Sequence, residues 1–135
     1  MNYRYLFRAK RKNWKQLPKE MWWVEGYYAY FKGNDNHCIY YETYGFTLVC
    51  DIDISTLCAC TGFKDKNGKL IWENDIVKHD FGEDQIGVQL AIVKYDSKYA
   101  CYQIKPIYDW MYCDKSDCEV IGNIFDNPEL LEVGE

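Results

Sequence analysis

The feature that most constrains this chain is its division into short extended segments by turn-forming residues. Large rings and β-branched side chains alternate with polar ones over short stretches, which is typical of strands. Gly, Asn, Asp and Pro separate these stretches. We therefore predict strands at Asn2–Arg8, Met21–Phe31, His37–Glu42, Phe46–Cys50, Asp75–His79, Gln85–Tyr95, Tyr99–Lys105, Ile107–Cys113 and Glu119–Phe125. Many short strands with frequent turns predict a mainly β fold, either a barrel or a sandwich, with little helix.

Two turns and one helix are specified locally. Asn67-Gly68 lies between extendable flanks, and this pair favours a two-residue type I′ hairpin turn because both residues need positive φ. A tight turn is also expected at Glu73-Asn74, since Asn tolerates the left-handed region. Near the C-terminus, Asn127 is expected to cap a short helix that begins at Pro128.

Length and composition exclude several classes of protein. A chain of 135 residues suits a single domain, which we place at residues 1–135. The 48% hydrophobic content is too high for a disordered chain, and no apolar run reaches the ~18 residues of a membrane helix. The N-terminus is basic and aromatic and has no apolar signal core, so we expect a cytoplasmic protein.

Charge is unevenly spread along the chain. Residues 1–20 carry seven Lys and Arg residues against Glu20, although the whole chain has a net charge of −5. The cluster from Arg8 to Lys12 predicts a solvated turn that could hold phosphate. We expect nucleic acid to be an unlikely partner, because the acidic remainder would repel a long polyanion.

Aromatic residues supply the candidate binding groups. They make up 18% of the chain and include 13 Tyr, which suit half-buried strands or a pocket of rings that stacks a planar base. Large rings occupy both odd and even positions of Met21–Phe31, so both faces of this strand carry aromatic side chains. One face is expected to leave an exposed patch, which consists of Trp22, Tyr28 and Tyr30. Another subunit, a partner or a ligand would cover it, and the alternative is coverage by the chain's own termini. The candidate ligand- or partner-binding residues are Trp22, Tyr28, Tyr30, Trp72, Tyr108, Trp110, Arg8 and Lys12.

The sequence contains no catalytic signature. It has two histidines, and His79-Asp80 would point to opposite faces of a strand. No nucleophile elbow, zinc-protease motif or phosphate-binding Gly loop is present. We therefore expect a non-enzymatic protein with no catalytic residues and no cofactor.

Several stretches, in this order along the chain, resemble the YopX family of small proteins encoded by phages and prophages of bacteria. They are Arg4–Lys12, Trp23–Tyr27, Thr61–Lys69, Asp75–Val77 and Glu119–Leu131. The resemblance implies a mostly β protein with N-terminal strands as a β meander over residues 1–57, a small SH3-like barrel over residues 58–135, and a short C-terminal helix. This chain departs from the family pattern at Asn74, where Gly is usual, and at Cys58 and Cys60.

The resemblance implies action in the host bacterial cytoplasm and supplies no reaction. We expect an accessory or counter-defence factor that sequesters a small ligand such as a nucleotide signal. One alternative is an acidic inhibitor of a host defence enzyme or nuclease, and another is a nucleic-acid-binding accessory protein. A homo-oligomer is compatible with each of these functions.

The cysteines give the first testable prediction. Their number is odd and no secretion signal accompanies them, which favours reduced thiols. Cys58-Ala59-Cys60 and Cys113-x4-Cys118 lack the C-x2-C spacing of structural zinc sites. We expect thiol titration of the denatured protein to find all seven cysteines free, and elemental analysis to find no metal. Stoichiometric zinc, or an intramolecular disulfide in freshly purified reduced protein, would contradict this.

Overall fold

A computed structural model describes residues 5–80, 88–97, 100–106 and 118–131. The chain divides into two compact units, Met1–Cys60 and Thr61–Glu135. Over the described residues it is mainly antiparallel β structure with short 3-10 helices, as the alternating pattern predicts. The strand predicted at Ile107–Cys113 lies outside the described residues.

The first unit is built on one antiparallel sheet. Its strands are β1 (Phe7–Lys10), β2 (Trp23–Phe31), β3 (Asn36–Thr43) and β4 (Phe46–Asp51), in the order β4-β3-β2-β1, with the start of β5 (Cys58–Lys64) beside β1. Short 3-10 helices lie between the strands at Trp14–Gln16, Lys19–Met21, Lys32–Asn34 and Ile54–Thr56. The basic cluster expected in a solvated turn is instead partly strand, since Arg8 and Lys10 both belong to β1.

The sheet of the first unit closes on itself at one end. Arg11 forms an isolated antiparallel bridge with Ile52. On either side of it, Lys12 N donates to Asp51 O at 3.0 Å and Asp53 N donates to Lys10 O at 2.9 Å. The sheet therefore curves around a core of Ala9, Val24, Ile39 and Ile52.

Strand β2 carries exposed rings on both of its faces, which differs from the prediction of a single exposed face. Tyr28 packs against the core, whereas Tyr27 on the other face is 57% exposed and Phe31 is also exposed. Of the predicted exposed patch of Trp22, Tyr28 and Tyr30, only Tyr30 is exposed, at 47%. Trp22 and Tyr28 are half-buried, and Tyr28 packs against the core that contains Val24 and Ile39. At Gly26, any side chain would collide with the carbonyl oxygen of Tyr40, so only glycine permits this approach.

The type I′ turn occurs at a different site from the one predicted. Thr43 pairs with Phe46, and the two residues between them, Tyr44 and Gly45, have φ of 50° and 81°. Asn67 has no positive φ, although Gly68 does. The turn there spans Asp65 to Gly68, with Gly68 N donating to Asp65 O at 3.0 Å, so Asn67-Gly68 is not a two-residue hairpin tip.

The second unit contains the remainder of the β structure. After β5 come β6 (Leu70–Trp72), β7 (Asp75–Asp80), β8 (Val88–Asp96), β9 (Cys101–Pro106) and β10 (Cys118–Asn123), with a 3-10 helix at Pro128–Leu131. Four of these strands form an antiparallel sheet in the order β10-β7-β8-β9. The core of this unit consists of Ile71, Val77, Ala91, Val93, Ile104 and Cys118.

The turn before β7 forms as the sequence predicts. Asn74 adopts a left-handed conformation with φ of 72°. Its backbone joins neighbouring segments, because Asn74 N donates to Val93 O at 2.9 Å and Ile124 N donates to Asn74 O at 3.1 Å. Strand β7 also pairs with β10 in antiparallel orientation.

Four of the described cysteines are buried, namely Cys38, Cys58, Cys60 and Cys118. The thiol of Cys38 donates to Asp51 Oδ1 at 3.6 Å, and that of Cys58 donates to Thr56 O at 3.3 Å. Cys50 and Cys101 are partly exposed. No disulfide joins the six cysteines that the structure describes, and Cys113 lies outside these residues. Across the described ranges, no helix is long and apolar enough to cross a membrane.

A buried carboxylate organises the turn between β5 and β6. Asp65 Oδ1 accepts from Asn67 N and Lys69 N, each at 2.9 Å, and Oδ2 accepts from Val120 N at 2.9 Å. Burial opposes the charge of this carboxyl, yet the donors Val120 N, Lys69 N and Asn67 N hold its pKa below the ordinary value. The side chain thus fixes the turn and ties it to β10.

Asp65→Asn is expected to lower the free energy of unfolding by about 2–3 kcal/mol at neutral pH, since three N–H donors lose a charged acceptor. The folded-state pKa is depressed, so the carboxylate's contribution is complete above the unfolded pKa of about 3.9 and is lost as pH falls through the folded pKa. Urea denaturation at a series of pH values should show the difference from wild type shrinking in acid. An equal loss in the control Glu20→Gln, at an exposed residue, or a difference that does not change with pH, would contradict this assignment.

Candidate binding site

A polar pocket of about 330 Å³ opens in the first unit. It lies between the turn from β2 to β3 and the segment that follows β4. The residues that line it are Lys12, Asp35, Asn36, His37, Ile52, Asp53 and Ile54. The volume is at the lower end of the ~300–1,000 Å³ range of small-molecule sites. We refer to this feature as the His37 pocket.

Two predicted tyrosines hold the histidine of this pocket. His37 lies opposite Tyr30 in the pairing of β2 with β3, and their rings stack with centroids 4.6 Å apart. The Tyr28 ring is nearly parallel to the imidazole at 6.0 Å, and the Tyr28 hydroxyl lies 2.7 Å from His37 Nδ1. These contacts fix the orientation of the imidazole at the pocket wall.

Carboxylates border the pocket on both sides. The Tyr30 hydroxyl donates to Asp35 Oδ1 at 2.8 Å, and this bond raises the pKa of the tyrosine. Asp35 adopts a left-handed conformation with φ of 51°, which directs the chain from the 3-10 helix into β3. One oxygen of this carboxylate is therefore engaged by Tyr30, and Oδ2 faces no partner among the described residues.

The opposite wall is held by Asp53. Its Oδ1 accepts from Ser55 Oγ at 2.7 Å and from Ser55 N at 3.2 Å, and its Oδ2 accepts from Trp14 Nε1 at 3.1 Å. The bonds from Ser55, followed by that from Trp14, lower the pKa of this carboxyl despite partial burial. Asp53 is therefore a fixed anion, and Lys12 is an exposed cation beside it.

A second side-chain cluster lies beside this wall and is already occupied. Lys10 is only 2% exposed, and its Nζ lies 3.9 Å from the ring centroid of Trp14, 4.4 Å from that of Trp22 and 5.7 Å from that of Trp23. We call this set the Lys10 cage. Trp14 and Trp22 also contact each other edge to face at 4.8 Å. The chain's own ammonium group thus fills the position that a cationic ligand would take.

The predicted binding residues therefore separate into groups. Tyr28, Tyr30 and Lys12 come together at or beside the His37 pocket. Trp22 belongs to the Lys10 cage, and the guanidinium of Arg8 lies 4.9 Å from the centroid of Trp23. Trp72, which is buried in the second unit, serves packing. The remaining two, Tyr108 and Trp110, lie outside the described residues.

Sequence reasoning missed several residues of the pocket. His37 was recognisable only as a histidine after a Gly-Asn-Asp-Asn turn, and Asp53 lay in what looked like a plain connection. Trp14 gave no strand pattern because it belongs to a 3-10 helix. The sequence did contain one indication of this site. If the predicted strands on either side of Lys32–Asn36 pair as a hairpin, Tyr30 lies opposite His37.

The imidazole and both carboxylates of the pocket already make hydrogen bonds within the chain. The imidazole Nδ1 is engaged by a tyrosine hydroxyl, and both carboxylates already accept hydrogen bonds. No group of three or more metal-ligating side chains is found in the part of the chain that the structure describes. In the second unit, Cys118 Sγ lies 3.5 Å from His79 Nδ1, but both side chains are buried and give a substrate no access.

Comparison with known proteins assigns the family. The family model for the YopX protein matches residues 6–132, so the chain belongs to the YopX family, as its motifs indicate. No curated protein matches the chain.

Two solved structures are similar to the chain. The crystal structure of protein yopX from Bacillus subtilis has a TM-score of 0.57 at 20% identity, over 98% of this chain and 100% of that one. Protein EF1440 from Enterococcus faecalis has a TM-score of 0.50 at 22% identity, over 93% of this chain and 96% of that one. At these identities the likeness concerns the fold alone.

Lys10→Ala is expected to lower the free energy of unfolding by about 2–4 kcal/mol, because it removes a desolvated cation–π contact and leaves a void between the indoles. Lys15→Ala is the matched control, since Lys15 Nζ lies 5.5 Å from the same Trp14 ring but at the exposed surface. Its effect should stay within about 0.5 kcal/mol. Chemical denaturation followed by tryptophan fluorescence measures both, and similar losses in the two variants would contradict the importance of the cage.

Proposed function

We propose that this member of the YopX family is a non-enzymatic binding protein that sequesters a small nucleotide in its His37 pocket. The setting we propose is a phage or prophage whose accessory or counter-defence factor acts in the host bacterial cytoplasm. The observation that carries the proposal is that two carboxylates and the imidazole of His37, on which Tyr30 stacks, line one pocket. A nucleotide signal used in host defence is the ligand class that fits this setting.

The chemistry of the walls supports a nucleotide over a purely apolar ligand. Tyr30 stacks on His37 beside the pocket and is 47% exposed, so part of its side chain remains accessible to a planar base. The carboxylates accept N–H donors from a base edge or hydroxyl donors from a ribose. Lys12 is the cation available to a phosphate. Two anions against one nearby cation favour a ligand with few phosphates over a long nucleic acid.

We also propose that residues 58–135 form the SH3-like barrel that the family resemblance implies. The strand order β10-β7-β8-β9 supports it. So do two bonds between the turn after β5 and β10, since Lys66 N donates to Cys118 O at 3.0 Å and Val120 N donates to Asp65 Oδ2 at 2.9 Å.

The test is titration calorimetry with the four common ribonucleoside monophosphates, together with mass spectrometry of small molecules retained by the purified protein. We expect at least one monophosphate to bind, and Tyr30→Leu to weaken it by about 5- to 150-fold, the range of one base–aromatic stacking contact. Tyr27→Leu is the matched control, because Tyr27 is a similarly exposed tyrosine of β2 on the other face.

Equal weakening by Tyr27→Leu would overturn the assignment of the pocket. Absence of binding by all four monophosphates at millimolar concentration, with no retained nucleotide, would overturn the proposed ligand class. In that event the acidic inhibitor of a host protein becomes the better hypothesis.

A further inference from the structure

The outer edge of β4 is the most unusual surface of the first unit. Strand β4 ends the strand order of its sheet, and its other side pairs with β3 along its whole length. The closure of the sheet covers this outer edge only where Asp51 O accepts from Lys12 N. The part from Phe46 to Cys50 has no neighbouring strand among the described residues.

The pairing register identifies the backbone groups at this edge. Ile52 N donates to His37 O at 3.1 Å, so the residues of β4 that bond to β3 are those two and four positions before Ile52, namely Cys50 and Leu48. The residues that alternate with them, Thr47 and Val49, must then direct their N–H and C=O groups away from β3. Asp51 follows the same alternation, because its carbonyl bonds outward to Lys12.

The side chains along this edge lack the usual protection against pairing. Phe46, Leu48 and Val49 are all exposed, and Val49 is 54% exposed. Proteins commonly protect an edge with Lys, Pro or a bulge, and Phe46–Cys50 contains no charge, no proline and no shift of register. An edge of this kind favours pairing with another strand.

The hairpin tip that precedes β4 provides a second, independent observation. Tyr44 is 96% exposed and has φ of 50°, a conformation that costs a non-glycine residue about 1–2 kcal/mol. Neither the strain nor the exposed ring stabilises the isolated chain. A contact between Tyr44 and another molecule would account for the strained backbone and for the exposed ring.

We propose that the outer edge of β4 is a dimerisation surface, on which a second copy of this chain adds its own β4 in antiparallel pairing about Leu48. A twofold axis beside Leu48 places Thr47 of each copy opposite Val49 of the other. Both residues direct their backbone donors and acceptors outward, so the two copies form four hydrogen bonds and one continuous sheet.

The edge is self-complementary, which favours a second copy over a foreign strand. The twofold arrangement brings Leu48 against Leu48 and Phe46 near Cys50, so that apolar side chains meet on one face. No charge within Phe46–Cys50 repels its symmetric equivalent. The proposal does not depend on a nucleotide in the His37 pocket, and the two are tested separately.

Sedimentation equilibrium on the full chain tests the proposal. We expect wild type to approach twice the 16.1 kDa of the chain at concentrations of about 50–100 µM, which corresponds to a dimer with a micromolar Kd. Val49→Pro removes an outward N–H that β3 does not use, and Val49→Lys introduces an edge charge. Both variants are expected to be monomers, with the far-ultraviolet circular dichroism of wild type.

Tyr27→Lys is the matched control, because Tyr27 lies on the same face of the sheet but on a strand with neighbours on both sides. It introduces the same charge and should leave the dimer intact. A wild type that remains a monomer at about 100 µM would overturn the proposal, since pairing at micromolar Kd would then be excluded. Dimers that persist in folded Val49→Lys, or that are lost equally in Tyr27→Lys, would also overturn it.

Discussion

The pairing of Lys10–Lys12 with Asp51–Asp53 is the constraint on which the first unit depends. These three residues bond to β2 on one side, where Arg11 N donates to Trp22 O at 2.7 Å, and to the end of β4 on the other. This arrangement bends an otherwise open sheet around its core. It also carries Lys12 and Asp53 across to the turn that holds Asp35 and His37, so the His37 pocket is a consequence of the closure.

Closure of the sheet also explains how a lysine comes to be buried beside β1. Lys10 lies next in sequence to the core residue Ala9, and its ammonium group meets the indoles of Trp14, in one 3-10 helix, and of Trp22, which directly follows another. An ammonium group removed from water requires compensating charge or π density, and the indole rings supply the latter. Alternation alone cannot reveal this, because sequence reasoning treats a basic residue in a charged cluster as solvated.

Much of the β structure follows from the sequence, whereas the turns depend on contacts that are distant in sequence. Asn74 was predictable because its left-handed preference is local. Asn67-Gly68 is also a local signal, but the carboxylate of Asp65 binds the neighbouring N–H groups and imposes a different turn. Tyr44-Gly45 adopts the positive φ values of a type I′ turn without a residue pair that favours them. The candidate site was likewise only half predictable, because Tyr28 and Tyr30 stand out as rings on a strand while Asp53 gains its role from Trp14.

The closed end and the open edge of the first unit are two results of the same geometry. Strand β1 pairs with β2 along one edge, and along its other edge it pairs with the start of β5, while the residues that follow it pair with residues 51–53. It therefore does not extend far enough to pair with Thr47 and Val49. A sheet that curves enough to bond Asp51 to Lys12 at one end must diverge at the other. Among the described residues, no strand pairs with the backbone groups at the outer edge of β4, which lie beside exposed apolar side chains. A neighbouring strand satisfies those groups without disturbing the closure, so the pocket and the proposed dimer surface can coexist in one unit of about 60 residues.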